Sequence, residues 1–464
     1  MKKLKIPSIV LYAIPMLIVF LFMLLVFYPG IMSPDAMVQW NQVQTGEIDN
    51  WHPAYVTIGI GLLTKIWNMP TIVIIVQILI IAFVFSYALA RLEKYYGVKR
   101  WFLFIISCLF SITPLNFNLA VNMLKDTLYA IWIVLFVAFV IDIINDKEWI
   151  KNWKHAILFT LTILLITLFR HNGILVSILG MLSIIIIYRK EKMFRICFAF
   201  FVLSYIMMTT VGFKILHIQE ANYANKYAPI THFFGRLLVN EKEFTEEEMR
   251  TLEKYVNTEQ LKQNFSQYNM DYSIQTQNTE TLKENSSEYV KLFAEKALEY
   301  PAELIKQYVK LTSFFYSPLP FSESYVAGMF TETELYIYED IYPELKENSK
   351  LPDVIEKIKD VTRKYQNGAL GIYTMRPAIY MYASIIAIIV LVVIKKNKKL
   401  ILIILPSLYN TLSLIPSMPV PSTRYVYITF LTFWILVPWC VYEIVKVIKN
   451  KRKSHGSENI NTGI

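Results

Sequence analysis

Cysteine is scarce: the chain has three, Cys108, Cys197 and Cys440, each inside an apolar run. An odd, scattered set supports neither a disulfide framework nor a CxxC metal knuckle, and these thiols read as small buried hydrophobes. There is no GxGxxG, no GxxxxGK followed by Ser or Thr, and no HExxH. Soluble dinucleotide, P-loop and zincin chemistry therefore have no foothold, and no nucleotide cofactor is expected. No basic patch interleaved with aromatics occurs in a soluble segment, so nucleic acid is excluded as a partner despite a net charge of +10. No cleavable signal is evident. The first apolar run, IPSIVLYAIPMLIVFLFMLLVFYPG, is too long for a signal core and has no small-residue cleavage site.

What the chain has is hydrophobicity, 55% of its residues, with a mean hydropathy of +0.41. That is too apolar for a purely water-soluble fold. Ten segments, several of them short and two open to a re-entrant reading, are expected to cross a bilayer: 8–28, 69–90, 101–116, 127–144, 156–169, 172–188, 194–213, 377–394, 401–416 and 425–445. Charge tests that count independently. The blocks MKKLK, RLEKYYGVKR, KEWIKNWK, RKEKMFR, KKNKK and KVIKNKRK all fall on the cytoplasmic side if the N-terminus is inside. The outward ends then carry only isolated basic residues, Lys65, Lys125, Arg170 and Arg424.

The expected organisation is a seven-helix membrane module over 1–213 with a functional outer loop at 29–68, then an extracytoplasmic domain over 214–376. A three-helix module over 377–445 and a basic cytoplasmic tail over 446–464 complete it. Segment 214–376 holds 25 acidic and 19 basic residues, and its apolar runs are too short to span. It reads as mostly helical. Thr245 stands as an N-cap ahead of acidic residues, Pro301 interrupts a helical pattern, and Leu351, Val354, Ile358 and Val361 share one amphipathic face. The run SPLPFSES reads as a turn, and the stretch from Asn264 to Ser287 as polar loop.

Polar residues collect at the outward ends. Asp35, in SPDAMVQW, reads either as a carboxylate in the first turn of a helix opened by Ser33 and Pro34, or as a general base or metal ligand just above the membrane. Gln39 and Gln42 follow at one and two turns, and His52 precedes Pro53, where it is either a helix-start residue or part of a lined cavity. Lys125 and Asp126 stand where a helix re-enters the membrane, after Asn116, Asn118 and Asn122. They read as an interfacial pair with a snorkelling lysine, or as a site for an anionic lipid phosphate. Gly173 serves the tight reversal at Arg170–Gly173, but a turn needs no guanidinium, and the Arg170 fork suits a phosphate or carboxylate. Pro416, Pro419 and Pro421 shape a loop before Arg424, Tyr425 and Tyr427, which read as interfacial anchors or as site residues. Glu220, His232 and Arg236 form a fifth cluster, in which a structural Glu220–Arg236 contact is as reasonable as a catalytic one.

These motifs, in this order, resemble the GT-C superfamily of polytopic glycosyltransferases, closest to a bacterial group of uncharacterised GT-C-like membrane proteins. The early loop PG..SPD..Q...G...D.HP matches Pro29 through Pro53, a membrane-entry KD matches Lys125–Asp126, and a late proline-rich loop ending in RY matches Arg424–Tyr425. An RNNG-like turn matches Arg170–Gly173, with His171 at the first asparagine. An E…P…Q…R stretch matches Glu220, Pro229 and Arg236, with Thr231–His232 at the glutamine position.

The resemblance implies an all-α, GT-C-like membrane protein of about ten transmembrane helices with a mostly helical extracytoplasmic domain. It implies a sugar donor linked to polyprenyl phosphate or diphosphate, for which undecaprenyl phosphate is the natural bacterial carrier, and an acceptor that is a cell-envelope glycan or polymer. Asp35 becomes the acidic residue that deprotonates or orients the acceptor hydroxyl, with Asp126 and His52 beside it as catalytic candidates. Lys125, Arg170 and Arg424 face the phosphate, and Gln39, Glu220, His232, Arg236 and Tyr425 bind or orient substrate. A divalent ion, Mg²⁺ or Mn²⁺, is compatible with Asp35, Asp126 and Glu220 as ligands. The protein is expected in the bacterial plasma membrane, with both termini cytoplasmic and the active site outside. The competing readings are a transporter or flippase of lipid-linked saccharides, a glycan polymerase or ligase using a lipid-diphosphate donor, and a non-catalytic scaffold. Transporters place their binding groups near mid-membrane in repeated halves, whereas these gather at one face.

Overall fold

A computed structural model describes residues 6–221, 226–319, 328–335, 338–369, 371–416 and 420–461, without the side chains of 372 and of 451 onward. Parts of the expected features fall outside that range: the MKKLK block, Pro419, residues 320–324 of the SPLPFSES run, residues 222–225 of the fifth cluster, and the end of the basic tail.

The described chain is all-α, and all ten apolar segments are helical. Six helices are long and apolar enough to cross a membrane, or seven if one bent pair is a single span. In chain order, the helices of eight residues or more up to residue 207 are α1 (Ser8–Val26), α2 (Pro34–Thr45), α3 (Ala54–Thr64), α4 (Pro70–Tyr96), α5 (Arg100–Ile112), α6 (Pro114–Val121), α7 (Lys125–Asn145), α8 (Trp153–Phe169), α9 (Gly173–Ile187) and α10 (Lys192–Met207). Helix α10 runs on through Met208–Gly212 in π geometry to Ile215. There follow α11 (Ala228–Val239), α12 (Glu246–Tyr255), α13 (Ser287–Glu299), α14 (Pro301–Leu311), α15 (Pro352–Asn367), α16 (Pro377–Lys395), α17 (Leu405–Leu414) and α18 (Tyr427–Asn461).

The membrane-length set is α1, α4, α7, α10, α16 and α18. Helices α8 and α9, of 17 and 15 residues, measure only about 25 and 22 Å at 1.5 Å per residue, short of a hydrocarbon core of about 30 Å. Segment 401–416 is a short 3₁₀ stretch leading into the ten-residue α17. Segment 101–116 is no single helix either: α5 and α6 bend by 65° where Pro114 follows Thr113. Proline cannot continue the hydrogen-bond ladder, and Asn116 answers the break by donating its Nδ2 to the Phe110 carbonyl at 2.8 Å.

A second break, between α6 and α7, brings Lys125 and Asp126 to the head of a helix. Buried Gln77 on α4 donates to the carbonyls of Leu119, Ala120 and Asn122 at 3.1, 3.0 and 2.8 Å, satisfying acceptors that have no helical partner. The loop before α2 is zipped to the same break: Ile31 N donates to Val121 O and Met123 N to Ile31 O, at 3.0 and 2.9 Å. Gly30, at φ +126°, lies against Ile74 so closely that a Cβ would collide with it. Asp35 and the Lys125–Asp126 pair thus hang from one rigid junction.

The helix ends rich in lysine and arginine meet at the opposite end of the bundle, where Lys395 pairs with Glu443 at 2.6 Å and Tyr442 Oη donates to the Gly97 carbonyl at 3.3 Å. The region 214–376 contributes to two cores. Residues of α11, α12 and α13, among them Phe233, Phe234, Leu252 and Tyr289, enclose a core of their own. Beyond α14, Phe314, Phe315, Leu345, Ile355 and Met375 join the core of the membrane bundle. Thr245 caps α12 in a full capping box with Glu248. Pro301 begins α14 after α13 has ended at Glu299. Leu351, just ahead of α15, and Val354 and Ile358 on it pack on the bundle core, while Val361 is exposed.

Candidate functional site

Helix α2 starts as its sequence directs: Ser33 accepts from Ala36 N at 3.3 Å, Pro34 occupies the first turn, and Asp35 follows. Asp35 nonetheless does more than complement a helix dipole. Lys125 Nζ approaches its Oδ2 to 2.6 Å, and Arg424 Nη1 approaches the same oxygen to 3.3 Å. Beside this trio, Arg170 Nη1 lies 2.9 Å from Asp126 Oδ1 and Arg424 Nε 3.9 Å from Asp126 Oδ2. Three cations and two carboxylates thus form one chain of contacts, drawn from α2, α7, the turn after α8 and the 3₁₀ turn ahead of α18.

Tyr425 organises the two arginines. The Arg170 guanidinium sits 4.5 Å from its ring centroid and that of Arg424 4.9 Å, and Arg424 Nη2 donates to Tyr425 Oη at 3.0 Å. Asn410 Nδ2 holds the Tyr425 carbonyl at 3.0 Å and its Oδ1 accepts from Tyr129 Oη at 2.8 Å. The α8–α9 reversal that presents Arg170 needs Gly173, where a Cβ would run into the Ile166 carbonyl. Its Asn172 is tied to Ser413 at 2.7 Å.

These groups line a cavity of about 620 Å³. Asp35, Lys125, Asp126, Arg170, Arg424 and Tyr425 all face it, and His52 joins them from the loop before α3. Asp126 is 1% exposed, and neither of its oxygens has an aligned hydrogen bond among the described residues, so ion pairing alone holds it. Burial works against ionised Asp35, but Arg424 and Lys125 outweigh it and hold the carboxyl well below the usual carboxylate range. Burial, reinforced by Lys125, pushes His52 down to about 3, so the imidazole is neutral near pH 7.

Four other sequence candidates lie elsewhere. Gln39 is buried and donates to Thr57 Oγ1 at 3.0 Å, off the cavity wall. Glu220 is exposed and also off the wall. Arg236 pairs with Glu303 at 2.9 Å, and this replaces the Glu220–Arg236 contact considered above. His232 lies inside the helical unit, with Nδ1 3.0 Å from Ser273 Oγ and its ring stacked on Phe265 at 4.8 Å. Burial brings it to about 3. Asp49, early in the same outer loop, accepts from Trp51 N at 2.8 Å in a local turn.

Two site features carry no sequence signal. Asp271 lines the cavity from a stretch polar enough to read as loop, and Met270 and Ile274 flank it there. Trp51, a neighbour of His52, lines the cavity through a side chain 41% exposed.

Of the three metal-ligand candidates, Asp35 and Asp126 are already matched with cations and Glu220 is off the cavity. A Mg²⁺ or Mn²⁺ held by Asp35, Asp126 and Glu220 would need that constellation rebuilt. In comparisons with known proteins, the chain matches no family model, no curated protein and no solved structure.

Proposed function

We propose that the cavity binds the phosphate of a polyprenyl-phosphate sugar, and that the protein transfers this sugar to a cell-envelope glycan outside the cytoplasm. One observation carries the reading: Lys125, Arg170 and Arg424 converge on a single cavity, and with Lys226 they outnumber its carboxylates Asp35, Asp126 and Asp271. An excess cation with two guanidinium forks suits a phosphate oxyanion in ground state and leaving group alike. The setting agrees with it. The cavity lies at the bundle end remote from the basic helix termini, which is the extracytoplasmic end under the positive-inside rule. In this reading the ten apolar helical segments are the crossings of a GT-C-like fold, with the short helices α8, α9 and α17 met by a locally thinned bilayer.

Asp35 takes a different role from the one its position suggests. A carboxylate held far below its ordinary proton affinity is a poor base near neutral pH. It serves instead to fix Lys125 and Arg424 at the spacing a phosphate requires. Asp126 does the same for Arg170, and neutral His52 offers a hydrogen-bonding nitrogen to the sugar. The bond that breaks is sugar C1 to phosphate oxygen, and the three cations stabilise the charge left on that oxygen.

The test is transfer from a panel of undecaprenyl-phosphate sugars into membrane extract by the purified protein. Native protein is expected to transfer one of them, and Asp35→Asn to do so about 10²-fold more slowly, a typical cost of disrupting transition-state charge stabilisation. Chelator is expected to change the rate by less than about twofold, because Lys125 and Arg170 already occupy the carboxylates a metal would use. Folded protein that binds these lipids and never transfers sugar sinks the reading in favour of transport.

A further inference from the structure

Asp271 opens the short helix Asp271–Ile274 of the helical unit, and with Met270 and Ile274 forms part of the cavity wall. It differs from the other two carboxylates there. Asp35 and Asp126 each have a cation, at 2.6 and 2.9 Å, whereas among the described residues no cation lies within ion-pair distance of Asp271 and no side chain hydrogen-bonds its carboxylate, while its backbone N donates to Asn269 Oδ1 at 2.8 Å. The helical unit therefore brings an uncommitted carboxylate to a site whose own acids are occupied. A pair of acids in contrasting surroundings is how one site divides electrostatic and proton-transfer duties.

The electrostatics agree with the geometry. Burial raises the proton affinity of Asp271, the negative charge of Asp35 adds to it, and Arg424 offsets part of the rise. The charged and titratable groups facing it across the cavity are Asp35, His52, Lys125 and Asp126 from the early loop and α7. From the remaining walls come Arg170, His171, Lys226, Arg424 and Tyr425.

We infer that Asp271 is the general base of the sugar transfer proposed above, accepting the proton of the acceptor hydroxyl. The inference rests on that reading and adds a division of labour to it. As the acceptor oxygen bonds to sugar C1, its proton passes to an Asp271 carboxylate oxygen. The C1–O bond to phosphate breaks, and its electron pair stays on the phosphate oxygen held by Lys125, Arg170 and Arg424. The acceptor class follows: a hydroxyl-bearing glycan entering beside the helical unit.

The experiment compares kcat/KM against pH for native protein, Asp271→Asn and Asp271→Glu in lipid nanodiscs, with retention of undecaprenyl phosphate measured in parallel. The expected native profile has an acidic limb above the ordinary carboxylate range. Asp271→Asn should lose that limb and about 10²-fold or more in rate while retaining the lipid within about twofold, and Asp271→Glu should recover a shifted limb. A merely structural role would leave the limb in place. The inference falls alone if native protein transfers sugar and Asp271→Asn keeps both rate and limb. It falls together with the transfer reading if native protein transfers from no donor. If Asp271→Asn fails to fold, Asp271→Glu decides, and an unmoved limb in it overturns the assignment.

Discussion

Helix α7 carries two buried aspartates, one near each end, and they do opposite things. Asp142, 0% exposed, accepts from Tyr87 Oη and Tyr95 Oη at 2.7 and 2.8 Å and pairs with Arg91 Nε at 3.0 Å. Every contact there is short, and Asp142 does not line the cavity. Asp126, 1% exposed, has arginines at 2.9 and 3.9 Å, no aligned hydrogen bond among the described residues, and a 620 Å³ cavity in front of it. Burial and an arginine partner are common to both. The difference lies in completion: a closed network staples two helices, and an open one leaves electrostatic capacity for a ligand.

The largest test of that contrast removes a cation from the open end. Arg424→Ala is expected to cut sugar transfer by about 10²–10³-fold, the usual consequence of losing one donor to a developing oxyanion, as read by turnover of purified protein. Unchanged turnover would make the open end as structural as the closed one. At the closed end, Asp142→Asn should reverse the pattern. It strands Arg91 and weakens two tyrosine hydrogen bonds, costing about 3–5 kcal/mol of stability, while turnover per folded molecule stays within about twofold. Thermal unfolding in detergent alongside turnover checks both halves.

The histidines sharpen the comparison at a smaller scale. His232 is enclosed and His52 faces the cavity, yet both sit near 3 against an ordinary 6.5. The unfolded chain takes up protons first as pH falls, so each contributes stability that is complete above about 6.5 and is lost progressively toward about 3. Between pH 7 and 5 the loss should be about 2 kcal/mol for each. His232→Gln should flatten the dependence of Tm on pH over that range without altering turnover. The smallest effect belongs to Thr245→Ala, far from both ends: the lost capping box should cost about 1 kcal/mol, seen as a lower Tm of the helical unit with transfer unaffected.

Much of this was legible because hydropathy and charge obey simple rules. The apolar segments are helices, and Ser33–Pro34, Thr245 and Pro301 mark helix starts where capping chemistry says they should. Spans were harder to read than helices. A window over 101–116 is mostly apolar up to the bend that Pro114 introduces, whereas the segments under α8 and α9 are already short of a full span in the sequence, hemmed in by Lys154, Arg170 and Arg189. In the site, the ionisable residues at helix re-entry points came together because a charge at that depth needs a partner. Gln39, His232 and Arg236 looked equally suggestive, but each is satisfied by a partner 18, 41 or 67 residues away that pairwise reading along the chain does not reveal. Asp271 was hidden for the same reason in reverse: its importance comes from the cavity that the fold brings to it.

The most direct measurement is retention of undecaprenyl phosphate by native mass spectrometry, comparing native protein, Arg170→Ala/Arg424→Ala and Asp142→Asn. The expected outcome is one tightly held lipid on the native protein and on folded Asp142→Asn, with at least tenfold weaker retention in the double arginine variant. Equal retention by all three would contradict a phosphate site at the open end of α7.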